Sequence, residues 1–194
     1  MFEIMIGSVV VPILLLLGTV KLFLGLIDLL AALNRQFLRS KMDHLTRYGG
    51  KGTWALVTGA TDGIGLEFCK QLARDGFNIC LVSRTESKLQ TVVERDLKEL
   101  GVQTRIVVAN FSGSHNMAFY DAIMAQTADI DIGLVVLNAG VDHLSFFEEA
   151  EGAKLQEMID TNVYQVGALT SKMTARLEKR GKRSGIVAVS SIGG

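Results

Sequence analysis

Trp54-Ala55-Leu56-Val57-Thr58-Gly59-Ala60-Thr61-Asp62-Gly63-Ile64-Gly65 decides the fold. An apolar run of strand length stops at Thr58, and an amphipathic helical pattern begins at Ile64. Between them three glycines permit a tight turn, close approach of backbone to a ligand, and close packing of the following helix. The first amides and the dipole of that helix favour an anion, so the stretch is suited to the pyrophosphate of a dinucleotide. Gly59, Thr61, Asp62, Gly63, Ile64 and Gly65 are its candidate ligand-binding residues.

Beyond this turn, apolar runs of strand length alternate with amphipathic runs of helix length, the pattern of βαβ units feeding a parallel sheet. Strands are predicted at Trp54–Thr58, Asn78–Ser83, Thr104–Ala109, Gly133–Asn138 and Gly185–Ser190. Their continuous Val, Ile and Leu content suits burial on both faces. Helices are predicted at Gly63–Asp75, Glu86–Leu100 and Ser114–Thr127, and from about Ala153 to Lys179. Gly76 and Gly101 stand where C-terminal caps belong, and Ser114 where an N-cap belongs. The expected fold class is α/β: a Rossmann-type doubly wound parallel sheet of about five strands, with its ligand site at their carboxyl ends. Gly185–Ser190 would ordinarily be covered by a further strand, and without one it presents an apolar edge.

The 194 residues allow one domain and an appendage. Twenty basic residues balance twenty acidic ones and are scattered along the chain, which argues against a nucleic-acid partner. The appendage is N-terminal: Ile4 to Leu33 is apolar apart from Lys21, Asp28 and a few small or turn-forming residues. A charge at the centre of a bilayer costs roughly 2.5–3.5 kcal/mol, whereas each Leu, Ile or Val gains about 0.3–0.6. Lys21 is therefore expected at an interface, with Ile4–Val20 spanning and Leu22–Leu33 too short to cross alone. A tilted single helix and a hairpin are the alternatives. The expected organisation is a membrane anchor over residues 1–33, a basic linker over 34–52 and a nucleotide-binding domain over 53–194. Lys21, Arg35, Arg39 and Lys41 against Glu3 alone place the domain on the cytosolic side. A cleaved signal peptide fits less well, because no basic n-region precedes the long apolar run.

Further signals follow the glycine turn in order. Asn138-Ala139-Gly140 ends the fourth strand, Asn162 lies on the long helix, and Ser191 follows the fifth strand. With the Gly-x-x-x-Gly-x-Gly spacing, these resemble the short-chain dehydrogenase/reductase family. Arg47-Tyr48-Gly49 and Ser83-Arg84-Thr85-Glu86-Ser87-Lys88-Leu89, beside the N-terminal anchor, narrow the resemblance. They are similar to the membrane-bound very-long-chain 3-oxoacyl-CoA reductases and the 17β-hydroxysteroid dehydrogenase type 12 and type 3 group.

The resemblance implies NADPH-dependent reduction of a ketone, a 3-oxoacyl-CoA of fatty-acid elongation or a steroid, at the endoplasmic reticulum membrane. A homodimer and other elongation enzymes are the implied partners. Ser191 would bond the developing alkoxide, and Asn162 would hold a water of the proton relay. The family's Tyr-x-x-x-Lys would fall about a dozen residues past Ser191, beyond Gly194, so the fold is expected to be incomplete and this chain inactive by itself. A short product that binds NADPH or a partner without turnover is the alternative.

Cofactor choice also has a physical argument. An NAD-selective site offers a carboxylate at the end of the second strand; here Ser83 and Arg84 stand there, and an arginine can hold a 2′-phosphate through paired charge-assisted bonds. NADP(H) is the expected cofactor. Asn138, Ala139 and Gly140 would line it. Asn110 stands where the family usually has an Asp for the adenine amine, and reads equally as a turn residue.

His44, His115 and His143 lack metal-ligand spacing, and no metal is expected. Cys69 and Cys80 read as small buried hydrophobes. The basic run Arg176–Arg183 complements a helix C-terminus, with contact to acyl-CoA phosphates the lesser reading.

Overall fold

The computed structural model describes Gly7 and residues 10–38, 42–143 and 146–191. The chain forms two compact units, Met1–Met42 and Asp43–Gly194.

In the first unit, helix α1 (Val11–Leu33) continues as a wider-wound π segment, Asn34–Leu38. The helix runs without interruption through Lys21, as in the single-helix alternative, and Leu22–Leu33 is not a separate element. Pro12 lies in the first turn, where a missing amide costs little, and nothing at Lys21 opposes helical backbone. Val11–Phe37, 27 residues containing an 18-residue stretch of mean hydropathy 2.3, is long and apolar enough to cross a bilayer. The start of the expected Ile4–Val20 span lies outside the described residues.

The second unit opens with a single turn, α2 (His44–Arg47), capped by Asp43, which accepts from the Thr46 amide at 2.9 Å. There follow β1 (Trp54–Thr58), α3 (Gly63–Arg74), β2 (Asn78–Ser83), α4 (Glu86–Val92), β3 (Thr104–Val108), α5 (Met117–Gln126), β4 (Ile132–Leu137), α6 (Gly152–Met158), α7 (Gln165–Lys179) and β5 (Gly185–Ala188). All pairings are parallel, in the order β3-β2-β1-β4-β5, with Thr58 opposite Val82 and Val57 opposite Val136. This is the doubly wound sheet expected from the sequence.

Alternate residues of each strand feed two cores. Leu56, Val82 and Val135 pack with Tyr120 of α5 and Leu169 and Met173 of α7. Val57, Leu81 and Val136 pack on the other face with Cys69 and Leu72 of α3 and Leu89 of α4. Both cysteines are buried, which pushes each thiol up to about 12 and makes it a poor nucleophile.

Several boundaries differ from expectation for identifiable reasons. Ser114 does not cap α5: it bonds the Phe111 carbonyl and the Tyr120 hydroxyl, while Asn116 accepts from the Phe119 amide at 3.0 Å. The run after Glu86 is helical but not uniformly α; it loosens over Val93–Leu97, tightens over Lys98–Leu100 and stops at Gly101, φ +67°. The long helix likewise passes from α6 to α7 through a π segment, Ile159–Tyr164. β4 stops at Leu137 because the Asn138 amide turns to the Thr58 hydroxyl, 2.9 Å away. β5 is shorter than expected and partly exposed, although Val189 still donates to Leu137 O.

At the amino edge of the sheet, Arg180 beyond α7 joins several segments. Its guanidinium pairs with Asp131, with Nη2 to Oδ2 at 3.0 Å, and donates to Tyr48 O, Thr53 Oγ1 and Arg183 O. Only 7% of its side chain is exposed, and its bonds hold the Asp131 carboxyl below the usual carboxylate range. A Cβ on Gly49 or Gly133 would strike this cluster, at Arg180 or at the Tyr48 carbonyl. Four residues earlier, Arg176 donates to the carbonyls of Thr127 and Ile130, closing the end of α5. The basic run is therefore partly buried structural machinery.

At the carboxyl edge, β1 and β4 are joined by the buried Thr58 hydroxyl, which accepts from the amides of Asn138 (2.9 Å) and Ala139 (3.0 Å). Asn138 Nδ2 returns to the carbonyls of Thr58 and Gly59 at 3.3 and 3.4 Å. Gly65 packs into this junction. A Cβ there would lie 2.5 Å from Asn138 Nδ2 and would strike the Gly59 carbonyl.

Two outcomes follow in thermal and denaturant unfolding. Arg180→Ala is expected to destabilise the Asp43–Gly194 unit by about 2–4 kcal/mol, with Arg180→Lys recovering only part, because an ammonium lacks the fork. An unchanged midpoint for Arg180→Ala would refute its structural role. Gly65→Ala is expected to cost roughly 1–3 kcal/mol by overpacking and to weaken dinucleotide binding in titration. Retention of both properties would mean that the two backbones are not in close approach.

Candidate functional site

A cleft of ≈ 440 Å³ opens at the carboxyl ends of β1, β2, β3 and β4. Its floor is the glycine turn. Gly59 has φ +66° and donates its amide to Val82 O at 2.9 Å, anchoring the turn to β2. Thr61 is held over the same strand, its hydroxyl 3.2 Å from that of Ser83. Asp62 caps α3 by accepting from the Gly63 amide at 2.7 Å. A bound pyrophosphate is thus left the next first-turn amides, those of Ile64 and Gly65. Gly59, Thr61, Asp62 and Gly63 line the cleft. Ile64 and Gly65 do not; the Ile64 side chain is exposed and Gly65 packs beneath.

These features fit a dinucleotide. A β-carbon at Gly59 would come within 3.0 Å of Ala139 Cα, so the turn needs both its left-handed backbone and the bare glycine. Asn138, Ala139 and Gly140 form the facing wall and are fixed by the Thr58 hydroxyl described above. Thr58 is invisible to motif reading because it looks like an ordinary strand residue; its hydroxyl matters only once β1 and β4 are known to be neighbours.

The end of β2 supplies cationic and hydroxyl groups. Ser83, Arg84, Thr85 and Lys88 all line the cleft. Lys88 was not assigned to the site from the sequence; it lies in the first turn of α4, which begins two residues after Arg84. Across the opening, Glu157 of α6 lies 3.9 Å from Arg84 Nη1 through Oε1 and 3.1 Å from His143 Nε2 through Oε2. Glu157 was likewise not anticipated, since 73 residues separate it from Arg84 in the chain. Asn110 lines the cleft and also accepts from the Ser112 amide at 3.3 Å, so its turn role is realised beside its exposure to the ligand.

The two candidate catalytic residues lie apart from the lining. Asn162 sits in the π segment and clamps Val141, accepting from its amide at 2.9 Å and donating to its carbonyl at 2.8 Å. Its side chain therefore secures the loop after β4. Ser191 lies three residues beyond β5 and is exposed. Two residues before Asn162, buried Asp160 accepts from the Gly113 amide at 2.9 Å and from Gln156, tying the loop after β3 to the long helix. Gln165, also buried, donates to Ala139 O at 3.3 Å.

The chain is 37% identical over 183 residues to the very-long-chain 3-oxoacyl-CoA reductase of Podospora anserina, covering 92% of this chain and 52% of that protein. It is 35% identical over 156 residues to inactive hydroxysteroid dehydrogenase-like protein 1 of Homo sapiens, covering 79% and 46% respectively. The chain thus spans about half the length of these curated relatives. Among solved structures, it resembles a short-chain dehydrogenase from Sphingobium yanoikuyae in complex with NADPH. That match has a TM-score of 0.65 at 25% identity, over 72% of this chain and 54% of the other. Residues 53–194 match the family described as short chain dehydrogenase, and with the parallel sheet and glycine turn in place, the chain belongs to that oxidoreductase family.

Proposed function

We propose that the cleft binds NADP(H), and that the whole protein reduces a ketone with it, most specifically a 3-oxoacyl-CoA to the 3-hydroxyacyl-CoA of very-long-chain fatty-acid elongation. The observation that carries the cofactor reading is the end of β2, where Ser83, Arg84 and Lys88 face the cleft and no carboxylate stands on that strand end. A dianionic 2′-phosphate is attracted by two cations, whereas a ribose hydroxyl gains little from them. The substrate reading is carried by the likeness to the Podospora anserina protein; a ketosteroid is the related alternative.

When bound, the reduced nicotinamide supplies the hydride. This chain's residues bind and orient: the turn from Gly59 to Gly65 receives the pyrophosphate, and Asn138 to Gly140 form the wall beside it. Asn162 keeps the following loop in place through Val141. Ser191 would donate to the developing alkoxide. The Tyr and Lys implied by the family resemblance fall past Gly194, so turnover is proposed for the whole protein. α1 would anchor it in the endoplasmic reticulum membrane, with Arg35, Arg39 and Lys41 keeping the folded unit on the cytosolic side. A second copy or other elongation enzymes would be its protein partners.

A second reading, nucleotide binding without turnover, is favoured by the likeness to a human protein named as inactive. NADPH oxidation by the full-length protein with a 3-oxoacyl-CoA separates the two. Turnover supports the first reading; NADPH binding without turnover of acyl-CoA or steroid ketones supports the second. For the cofactor itself, Arg84→Asp is expected to weaken NADPH relative to NADH by roughly tenfold or more, the worth of a lost charge-assisted hydrogen bond. An unchanged ratio in fluorescence titration would remove Arg84 from the 2′-phosphate site.

A further inference from the structure

Arg84 and Glu157 come within 3.9 Å of each other at the cleft, from elements far apart in the chain. Arg84 follows β2, Glu157 belongs to α6, and both line the cavity. The carboxylate is 25% exposed and divides its oxygens, Oε1 toward Arg84 and Oε2 toward His143 on the loop after β4. Arg84 is 65% exposed, and Glu157 is its only carboxylate partner among the described residues. A carboxylate shared by two partners can give up one without becoming isolated. Lys88 also lines the cleft and has no carboxylate partner there among the described residues, so it stays available to an anion.

We propose that Glu157 is an affinity- and specificity-determining residue that competes with the cofactor's 2′-phosphate for Arg84, turning to His143 when the phosphate takes its place. The inference rests on the assignment of Arg84 to the 2′-phosphate in the preceding subsection. Its physical content is subtractive. A ligand with a 2′-phosphate must displace Glu157 from Arg84 and then tolerate a carboxylate close by. A ligand with a 2′-hydroxyl meets neither cost. Glu157 thus holds NADP(H) affinity below what Arg84 and Lys88 alone would give, which favours release of the cofactor after each turnover.

The test uses 2′,5′-ADP and 5′-AMP as probes, titrated by calorimetry against the full chain in detergent, so that neither catalysis nor substrate enters. The pair is partly solvated, so the effect is modest. Glu157→Gln is expected to tighten 2′,5′-ADP about three- to tenfold while changing 5′-AMP less than about twofold. In an Arg84→Ala background the same change should give a clearly smaller gain, because only the repulsion between carboxylate and phosphate remains. No tightening in the single variant, equal tightening of both probes, or a full gain without Arg84 would each overturn the proposal. If Arg84→Ala alone leaves the ratio of the two probes unchanged, the assignment of Arg84 to the phosphate fails, and the competition with it. That result is distinguishable, because it appears with Glu157 intact. His143→Ala is expected to weaken 2′,5′-ADP or leave it unchanged, since it removes the alternative partner and leaves the competitor on Arg84. Tightening equal to that of Glu157→Gln would also overturn the mechanism.

Discussion

The constraint on which the site depends is the approach of two backbones at the carboxyl edge of the sheet. Gly59 and Gly65 lie so close to Asn138 and Ala139 that neither glycine has room for a β-carbon without displacing backbone or the Asn138 amide. The Thr58 hydroxyl fixes that separation by accepting from two successive amides of the facing chain. A buried amide left without an acceptor costs on the order of 1–3 kcal/mol, so the end of β4 is held where Thr58 stands. Everything that gives the cleft its shape follows from this closeness: the floor at Gly59, the wall at Asn138 to Gly140, and the start of α3 pointing at the space between them.

The strands and the glycine turn were legible because their signals are local. Continuous apolar runs of strand length need no partner to be recognised, and the left-handed backbone at Gly59 and Gly63 is announced by the residue type. What escaped depends on contacts distant in sequence. Ser114 satisfied the local rule for an N-cap, but tertiary bonds to Phe111 and Tyr120 had claimed its hydroxyl, and Asn116 took the cap. Lys21 left a single helix and a hairpin both open, because the cost of a charge in a bilayer does not interrupt backbone hydrogen bonding; α1 runs through it. Glu157 carries no local signal and enters the site only because the fold brings α6 to the cleft.

The arginines show how far residue type underdetermines role. Arg84, Arg176 and Arg180 carry the same planar fork and are used in three ways. Arg84 is solvated and faces a cleft, where a forked cation recognises an anion that comes and goes. Arg176 meets only carbonyls and the Thr127 hydroxyl, and burial lowers its affinity for the proton. Arg180 adds a true counter-ion, Asp131, and with it the amino edge of the sheet becomes a fixed point for the segment that leads in from α2. From sequence, a cluster of basic residues near a helix end reads as dipole compensation or as a phosphate site. Burial separates these readings, and here it assigns two of the three arginines to the scaffold.

The long helical run from Gly152 to Lys179 links these two edges. At its beginning Glu157, Asp160 and Asn162 reach the loops around the cleft; at its end Arg176 closes α5, and Arg180 just beyond gathers the opposite loops. A regular helix would fix the angular relation between these sets at about 100° per residue. The π segment at Ile159–Tyr164 changes that phase locally, and a π turn is tolerated where its looser bonding is compensated by specific contacts. Those contacts are present: Asp160 is held by Gly113 and Gln156, Asn162 by both polar groups of Val141, and Gln165 by Ala139. The irregular turn is therefore where one helix satisfies two demands at once, α7 keeping its apolar face on Leu56 and Val135 while the polar residues before it face the site. A straight helix that buried Leu169 and Met173 as well would carry Asn162 off Val141 and release the loop that walls the cleft.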